Sequence, residues 1–342
     1  MHNDIGVLLI FFNKVNTLQE VFKAIRLAQP KKLFLAQDGA RVGVQSDVIN
    51  ITKCRKIVEN IDWDCDIYKN YSDTNLTCDP RVYTAISWAF EYVDKLIIIE
   101  DDSVPNQSFF KFMNEILERY KDDERIQMVS GIERFGVNKF CKDSYYFSTI
   151  NAGCAWGTWQ RVWQDVEKWA NCSFIENNDD CSAIEHFTKN CLPSCFHDFV
   201  KRGNTNLKLN RQINGIYSWE YAVATSMILA SRVAITPKFN LIKNIGIVDE
   251  ATHSGNSLQT MPHKLRRLFF METHELEFPL KHPKYVMRDS RYERAYERHF
   301  CYNKLDQLSM KIEHIFLLLI RGKVGDIGNI IKRKLKRNKI HG

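Results

Sequence analysis

The chain has 342 residues, 44% hydrophobic and 12% aromatic, enough for one large or two modest domains with a buried core, which excludes a disordered polypeptide. Its net charge of +7 is unevenly placed: residues 262–342 hold 19 Lys and Arg against nine Asp and Glu, leaving residues 1–261 slightly acidic. That excludes a nucleic-acid-binding main domain and points to a basic C-terminal appendage.

Gly6–Phe12 is an apolar run expected to form a buried first strand; it lacks the basic flank and small-residue cleavage site of a leader peptide. Asn13-Lys14 follows as a loop. Thr17-Leu-Gln-Glu20 has capping-box spacing, with Leu18, Val21, Phe22 and Ile25 as a helical stripe. Lys32–Ala36 is predicted as the second strand, closed by Gln37-Asp38-Gly39, where Asp38 reads equally as a turn former and as a ligand-binding acid at a sheet edge. Gln45–Asn60 is predicted helical, Cys65–Tyr68 a short strand, Tyr71–Pro80 a polar loop, and Arg81–Val93 a helix with Val82, Ala85, Ile86, Ala89 and Phe90 inward.

Leu96–Ile99 has the continuous apolar character of a strand buried on both faces, and it ends in Glu100-Asp101-Asp102. Three adjacent acids repel one another, and a divalent cation would compensate that charge. Pro105 stops the strand, a helix is predicted from about Gln107 to Tyr120, and a strand at Ile126–Ser130. The alternation implies an α/β fold with a mostly parallel sheet flanked by helices.

Beyond Gly131 the composition changes. Residues 144–170 are aromatic-rich; Trp159, Trp163 and Val166 have helical spacing, while Gly153-Cys-Ala-Trp-Gly157 is too glycine-bounded for a plain helix and suits an aromatic wall against a sugar. Cys191, Cys195 and His197 lack a second pair at zinc-site spacing, so no zinc is expected, and the ten cysteines form no dense disulfide framework. A helix is predicted through Ser218-Trp219-Glu220-Tyr221 to Leu229, a strand at Val233–Pro237, and an irregular polar loop through His253. Near the C-terminus Ile312, Ile315, Phe316, Leu319 and Ile320 precede Lys332–Lys339, which holds six basic residues and no acid. That combination reads as a surface-membrane anchor, and no apolar run reaches the ~18 residues of a membrane span.

In order and spacing, several of these pieces together resemble glycosyltransferases of the GT-A fold, in particular the N-acetylglucosaminyltransferase I type and bacterial lipopolysaccharide and capsule enzymes. The resemblance covers roughly residues 5–260. It rests on Phe12-Asn13-Lys14, Leu35-Ala-Gln-Asp-Gly39, the Arg81–Phe90 helix, Ile97–Asp102 with Phe109-Phe110, Gly153–Trp159, Ser218–Tyr221, and Asn244-Ile-Gly246 with Ala251-Thr-His253. It implies a GT-A, Rossmann-like domain over 1–261, with a nucleotide-binding half at 1–135 and an acceptor half at 136–261, followed by a basic helical extension at 262–342.

The resemblance also implies roles. Asp102 would hold a divalent metal, Mn²⁺ or secondarily Mg²⁺, with His253 a second candidate for the metal or the diphosphate. Asp101 would touch the ribose or the metal's water shell, Glu100 the donor sugar, and Asp38 the base, expected to be uracil. Asn13, Lys14 and Arg81 would line the donor site; Lys14 stands where the family more often has Arg. Glu220, where relatives usually have Asp, would be the base of an inverting transfer. Trp156, Trp159 and Trp219 would shape the acceptor site. The implied partners are a nucleotide-sugar donor, a glycan or glycolipid acceptor and an anionic inner-leaflet surface, with no nucleic acid. The implied place is the cytoplasm, peripheral to the inner membrane.

Two other readings carry their own signs. A sugar-nucleotide nucleotidyltransferase would carry a glycine-rich signature after the first strand, and Phe11–Val15 has no glycine. A non-enzymatic, membrane-associated adaptor would have lost the acids, and Glu100, Asp101, Asp102 and Glu220 are all present.

Overall fold

The computed structural model describes residues 5–150, 153–171, 219–247, 258–322 and 325. The chain forms two compact units, one comprising Met1–Asn244 with Met271–Cys301, the other Ile245–Phe270 with Tyr302–Gly342. Met271–Cys301, which the charge count groups with the basic extension, thus belongs to the sheet unit.

The sheet unit opens with β1 (Ile5–Phe11), α1 (Val15–Ala28), β2 (Lys32–Gln37), α2 (Gln45–Val58), β3 (Asp66–Tyr71), α3 (Cys78–Ala89) and β4 (Lys95–Glu100). It continues with β5 (Ser103–Pro105), α4 (Gln107–Arg119), β6 (Ile126–Ser130), β7 (Tyr145–Ser148), β8 (Ala155–Trp159), α5 (Gln160–Asn171), α6 (Trp219–Leu229), β9 (Val233–Pro237) and β10 (Ile242–Asn244). Eight strands form one sheet in the order β3-β2-β1-β4-β8-β6-β9-β7, and β5 and β10 form a separate antiparallel pair. Strands β3, β2, β1 and β4 are parallel neighbours, as are β6 and β9; β8 runs antiparallel between β4 and β6, and β7 antiparallel to β9. This is the mixed, mostly parallel, Rossmann-like sheet expected from the alternation of elements.

Two apolar layers clamp the sheet. In β1, Val7, Leu9 and Phe11 face the layer of α1, α2 and α4, while Leu8 and Ile10 face that of α3, α5 and α6. In β4, Ile97 and Ile99 point the first way, Leu96 and Ile98 the second. Full burial of each such side chain contributes about 1.5–3 kcal/mol, so these strands are apolar throughout and do not alternate.

One local signal misplaces a boundary. Helix α1 starts at Val15 with Lys14 as its cap, without a side-chain capping bond, two residues ahead of the Thr17–Glu20 box. Thr17 lies inside the first turn, and its hydroxyl donates back to the Lys14 carbonyl at 3.4 Å. The Lys14 side chain is instead drawn to the acids that end β4.

After β10, and interleaved between the units in sequence, come α7 (His263–Arg266), α8 (Ser290–Phe300) and α9 (Lys304–Ile320). Helix α8 belongs to the sheet unit; its cap, Asp289, accepts from the backbone of Arg291 and Tyr292. Within the second unit, α9 starts in a capping box of Asn303 and Asp306. Its Asp306 pairs with Lys264 and its Glu313 lies 3.8 Å from Arg266, so its acidic side faces its own unit. Its apolar side faces outward: Leu305 is 76% exposed, Ile312 60%, Phe316 58% and Ile320 63%. No described helix is long and apolar enough to cross a membrane. Lys332–Lys339 and the Cys191, Cys195 and His197 group lie outside the described residues.

Candidate active site

The acids that end β4 sit beside the end of β1, where the strand order reverses. Such reversals leave a crevice at the carboxyl edge of the sheet that accommodates ligands. The Phe12 amide donates to Asp101 Oδ2 at 3.0 Å, tying the two strand ends together. Lys14 Nζ donates to Asp102 Oδ2 at 2.8 Å and stands 3.1 Å from Asp101 Oδ1. Burial alone would lower the pKa of this ammonium; the Asp101 and Asp102 carboxylates outweigh it and raise the value.

Among the described residues Glu100 has no such partner. Burial, and then the charges of Asp102, Glu220 and Asp101, push its carboxyl well above the usual range, with Lys14 offsetting them only in part. Glu220, in the first turn of α6, is close enough for its charge to act on Glu100, so it reaches this crevice from the other half of the sheet unit. Solvent reaches its side chain, but the protein around it thins its hydration. This desolvation raises the Glu220 pKa, Asp79 adds to the rise, and Arg134 offsets part of it.

Among the described residues no group of three His, Cys, Asp or Glu side chains is arranged to hold a metal ion. Glu100, Asp101, Asp102 and Glu220 outnumber the Lys14 and Arg134 cations, and that excess of carboxyl groups suits a divalent cation, which would favour their ionised forms. Asp102 would be its protein ligand, with phosphate oxygens and water filling the other positions, as Mg²⁺ and Mn²⁺ commonly accept.

The other expected residues divide. Asp38 is engaged on both oxygens: Oδ1 accepts from the amides of Gly39 (2.9 Å) and Leu76 (2.8 Å), Oδ2 from the Thr77 amide (3.1 Å) and the Asn75 side chain (3.0 Å). It clamps the loop before α3 instead of presenting a free carboxylate to a base. Gly39 is required there, because a Cβ would lie 2.5 Å from the Thr74 backbone. Arg81 is buried, bound to the side chain and carbonyl of Asn70, and burial lowers its pKa while Asp38 counters that. Asn13 donates to Asp47 at 2.7 Å and so anchors the loop after β1 to α2.

The tryptophans also divide. Trp156 and Trp219 stack with ring centroids 5.6 Å apart and planes 5° from parallel, both buried. They back the start of α6 and hence Glu220, and present little surface to an acceptor. Trp159 is a correction to the expected acceptor wall. It pairs with Lys95 at the opposite end of β4, ~16 Å from Glu100 at about 3.3 Å per residue, and its indole donates to the Leu117 carbonyl at 2.9 Å. It is core. His253 lies outside the described residues.

Sequence reasoning missed three neighbours. Arg134 follows β6 at the same sheet edge; it interacts electrostatically with Cys154 and Glu220, and its Nε is buried without a hydrogen-bond partner among the described residues. The rule that picked the acids after β4 also picks residues just beyond β6. Cys78, at the surface, and Cys154, half-buried, lie among the acids: loss of hydration to the surrounding protein, then the Glu100 charge, with Arg134 opposing at Cys154, pushes both thiols up to about 12. They are neutral at ordinary pH and supply neither charge nor nucleophile.

No protein-family model matches the chain, and no curated protein matches its sequence. Among solved structures it is similar to a mannosyltransferase from Pyrobaculum calidifontis in complex with GDP-Man and Mn²⁺, at 11% identity over 67% of this chain and 74% of that one, TM-score 0.35. It is similar to TarS (residues 1–349) from S. aureus at 13% identity, spanning about half of each chain (52%), TM-score 0.34. It is also similar to 4-diphosphocytidyl-2C-methyl-D-erythritol synthase from Anaerococcus prevotii, at 12% identity over 54% of this chain and 83% of that one, TM-score 0.32. At these values none of the three assigns a chemistry to this chain.

Proposed function

We propose that the chain is a GT-A-type glycosyltransferase that moves a sugar from a nucleoside-diphosphate donor, a UDP-sugar in the first place, to a surface glycan or glycolipid. One observation carries this reading: Glu220 on α6 lies within electrostatic reach of Glu100 at the β1–β4 crevice, where Asp101 and Asp102 share Lys14 as their partner. A carboxylate of raised pKa opposite an anionic cluster suits a base facing a site built to part with a diphosphate.

In the proposed reaction the acceptor hydroxyl attacks the anomeric carbon as its proton passes to Glu220, and the bond from that carbon to the diphosphate oxygen breaks, inverting the centre. General-base assistance of this kind contributes about 10²–10⁴-fold. Lys14 orients Asp101 and Asp102; the Trp156–Trp219 stack fixes the start of the helix that carries Glu220. A divalent cation on Asp102 would supply charge neutralisation for the departing diphosphate. For location we propose the cytoplasmic face of an anionic membrane, reached through the outward side of α9 and the basic sequence after it.

A panel of nucleotide sugars, assayed with Mn²⁺ and with EDTA, tests this reading. Release of the nucleoside diphosphate, lost in Asp102→Asn and reduced about 10²–10⁴-fold in Glu220→Gln with donor binding retained, is expected. Release of pyrophosphate instead would transfer the protein to the nucleotidyltransferases, and wild-type turnover in Glu220→Gln would remove the base.

A further inference from the structure

Strand β7 is the outer edge of the sheet, and residues 281–288 run alongside it as a strap. Two points pin the strap. The Ser144 amide donates to the Lys281 carbonyl at 2.9 Å and the Lys281 amide to Ser144 Oγ at 2.8 Å; three residues further along β7, Phe147 bridges to Arg288, and its carbonyl accepts from the Asp289 amide at 2.8 Å. Between the pins the strap takes seven residues where the strand takes three, so it bows outward. Covering an edge strand needs only a flush segment; the bow encloses a cavity of about 460 Å³ as well.

The lining has a definite chemistry. Phe140 is 42% exposed, Tyr285 66% and Met287 73%. Arg291 is held over the Phe140 ring at 5.7 Å by its bonds to Asp289 and the Phe140 carbonyl, and Lys284 lies over the Tyr285 ring at 5.3 Å. Lys142 forms no ion pair among the described residues. Four basic side chains line the cavity; Arg288 is paired with Glu293 and Arg291 with Asp289, which leaves Lys142 and Lys284 beside Asp143 as the charges among the described residues open to a ligand.

We propose that this cavity binds a segment of an anionic glycan, the acceptor chain or its product. Exposed rings offer flat apolar faces to the C–H side of sugars. The Lys142 and Lys284 ammonium groups, without an ion pair among the described residues, meet carboxylates or phosphates on the chain. The register supports the placement: Tyr145 pairs with Pro237, the carboxyl end of β9, so residues 140–143 enter the cavity from the same sheet edge that carries Glu100–Asp102. Four strand steps separate β4 from β7, ~19 Å at about 4.8 Å per step, a span that a chain of several sugars bridges. The choice of a glycan rests on the transferase reading of the crevice; the charge and ring chemistry of the cavity do not.

Calorimetric titration of the full chain with hexagalacturonate, with neutral maltohexaose as control, tests the proposal. Hexagalacturonate is expected to bind. Lys142→Glu with Lys284→Glu should weaken it about tenfold and Tyr285→Ala about fivefold, with maltohexaose weaker throughout and the UDP-induced rise in melting temperature unchanged. Lys284→Gln keeps the side-chain stem and should show the same direction of change if the double variant fails to fold. Failure of the wild type to bind the uronate, equal binding by the folded variants, or tighter binding of a hexameric RNA would each overturn it. Uronate binding by a protein that takes up no nucleotide sugar supports the cavity and counts against the transferase reading.

Discussion

At the Lys14 ammonium a single positive charge serves two carboxylates. Removing it leaves Asp101 and Asp102 facing each other with less compensation, and a divalent cation becomes the remaining way to neutralise them. In Lys14→Gln, Mn²⁺ should therefore raise the melting temperature more than it does in the wild type, measured by thermal shift against EDTA. An equal or smaller rise would show that the ion does not meet these acids. Glu133 makes a different prediction. It is fully buried just past β6, accepts from the Phe135 amide at 2.8 Å, and burial pushes its carboxyl up to about 7. Its folded-state pKa is above the ordinary 4.5, so the stability it confers is fully present below 4.5 and is lost as pH rises through 7. The span is worth on the order of 3 kcal/mol. Glu133→Gln should flatten the fall in stability across that window in denaturant melts, and an unchanged slope would assign the fall to other groups.

Among the elements, the pairing of β8 with the start of α6 governs how firmly Glu220 is held. A Cβ on Gly153 would lie 2.5 Å from the Trp219 ring, and that ring cannot retreat freely because it is stacked on Trp156. Gly153→Ala should cost about 1–3 kcal/mol of stability and lower transfer more than donor binding. A variant with full stability and turnover would show the stack to be slack. The first half of the sheet was legible because β1, β2 and β4 are continuous apolar runs and its acids fall just past one of them. Asp38 was legible as a special position but not as a clamp, because its partners, Leu76, Thr77 and Asn75, lie in a loop with no periodic pattern. Trp159 was half legible. Its spacing with Trp163 and Val166 marked it as core, which it is; its place in an acceptor wall came from its nearness to Trp156 in the chain, and only the antiparallel register shows that it closes β8 at the end away from the acids. Arg134 sits in no motif; the sheet-edge rule points only to the stretch beyond β6, and the residue's meaning comes from a neighbour on α6 more than eighty residues later.

For the molecule as a whole, α9, itself neutral with Lys304 and Lys311 against Asp306 and Glu313, sets an apolar face ahead of the basic C-terminal sequence. Its acidic side chains are paired inward, and its exposed side is Leu, Ile and Phe. An interfacial helix buries such a face at the headgroup boundary, and basic residues beside it add about 1 kcal/mol each near an anionic surface. Sedimentation with phosphatidylserine-containing vesicles should fall when Ile312 and Phe316 are replaced by Lys, and fall further when residues 324–342 are removed. Binding that survives both changes would place membrane contact elsewhere or nowhere.

The antiparallel insertion of β8 also bears on how the chain is made. By the time residue 130 leaves the ribosome, β3, β2, β1 and β4 can already pair, but the strand that belongs beside β4 is still to be synthesised. Through that interval the backbone of Leu96–Ile99 is an open edge, and β6, just completed, is a parallel strand free to dock there in the wrong place. The crevice that gathers the acids is thus built against a flank that stays unsealed until residues 155–159 arrive, and the interval between the two is when a nascent chain of this protein is most exposed to misassembly.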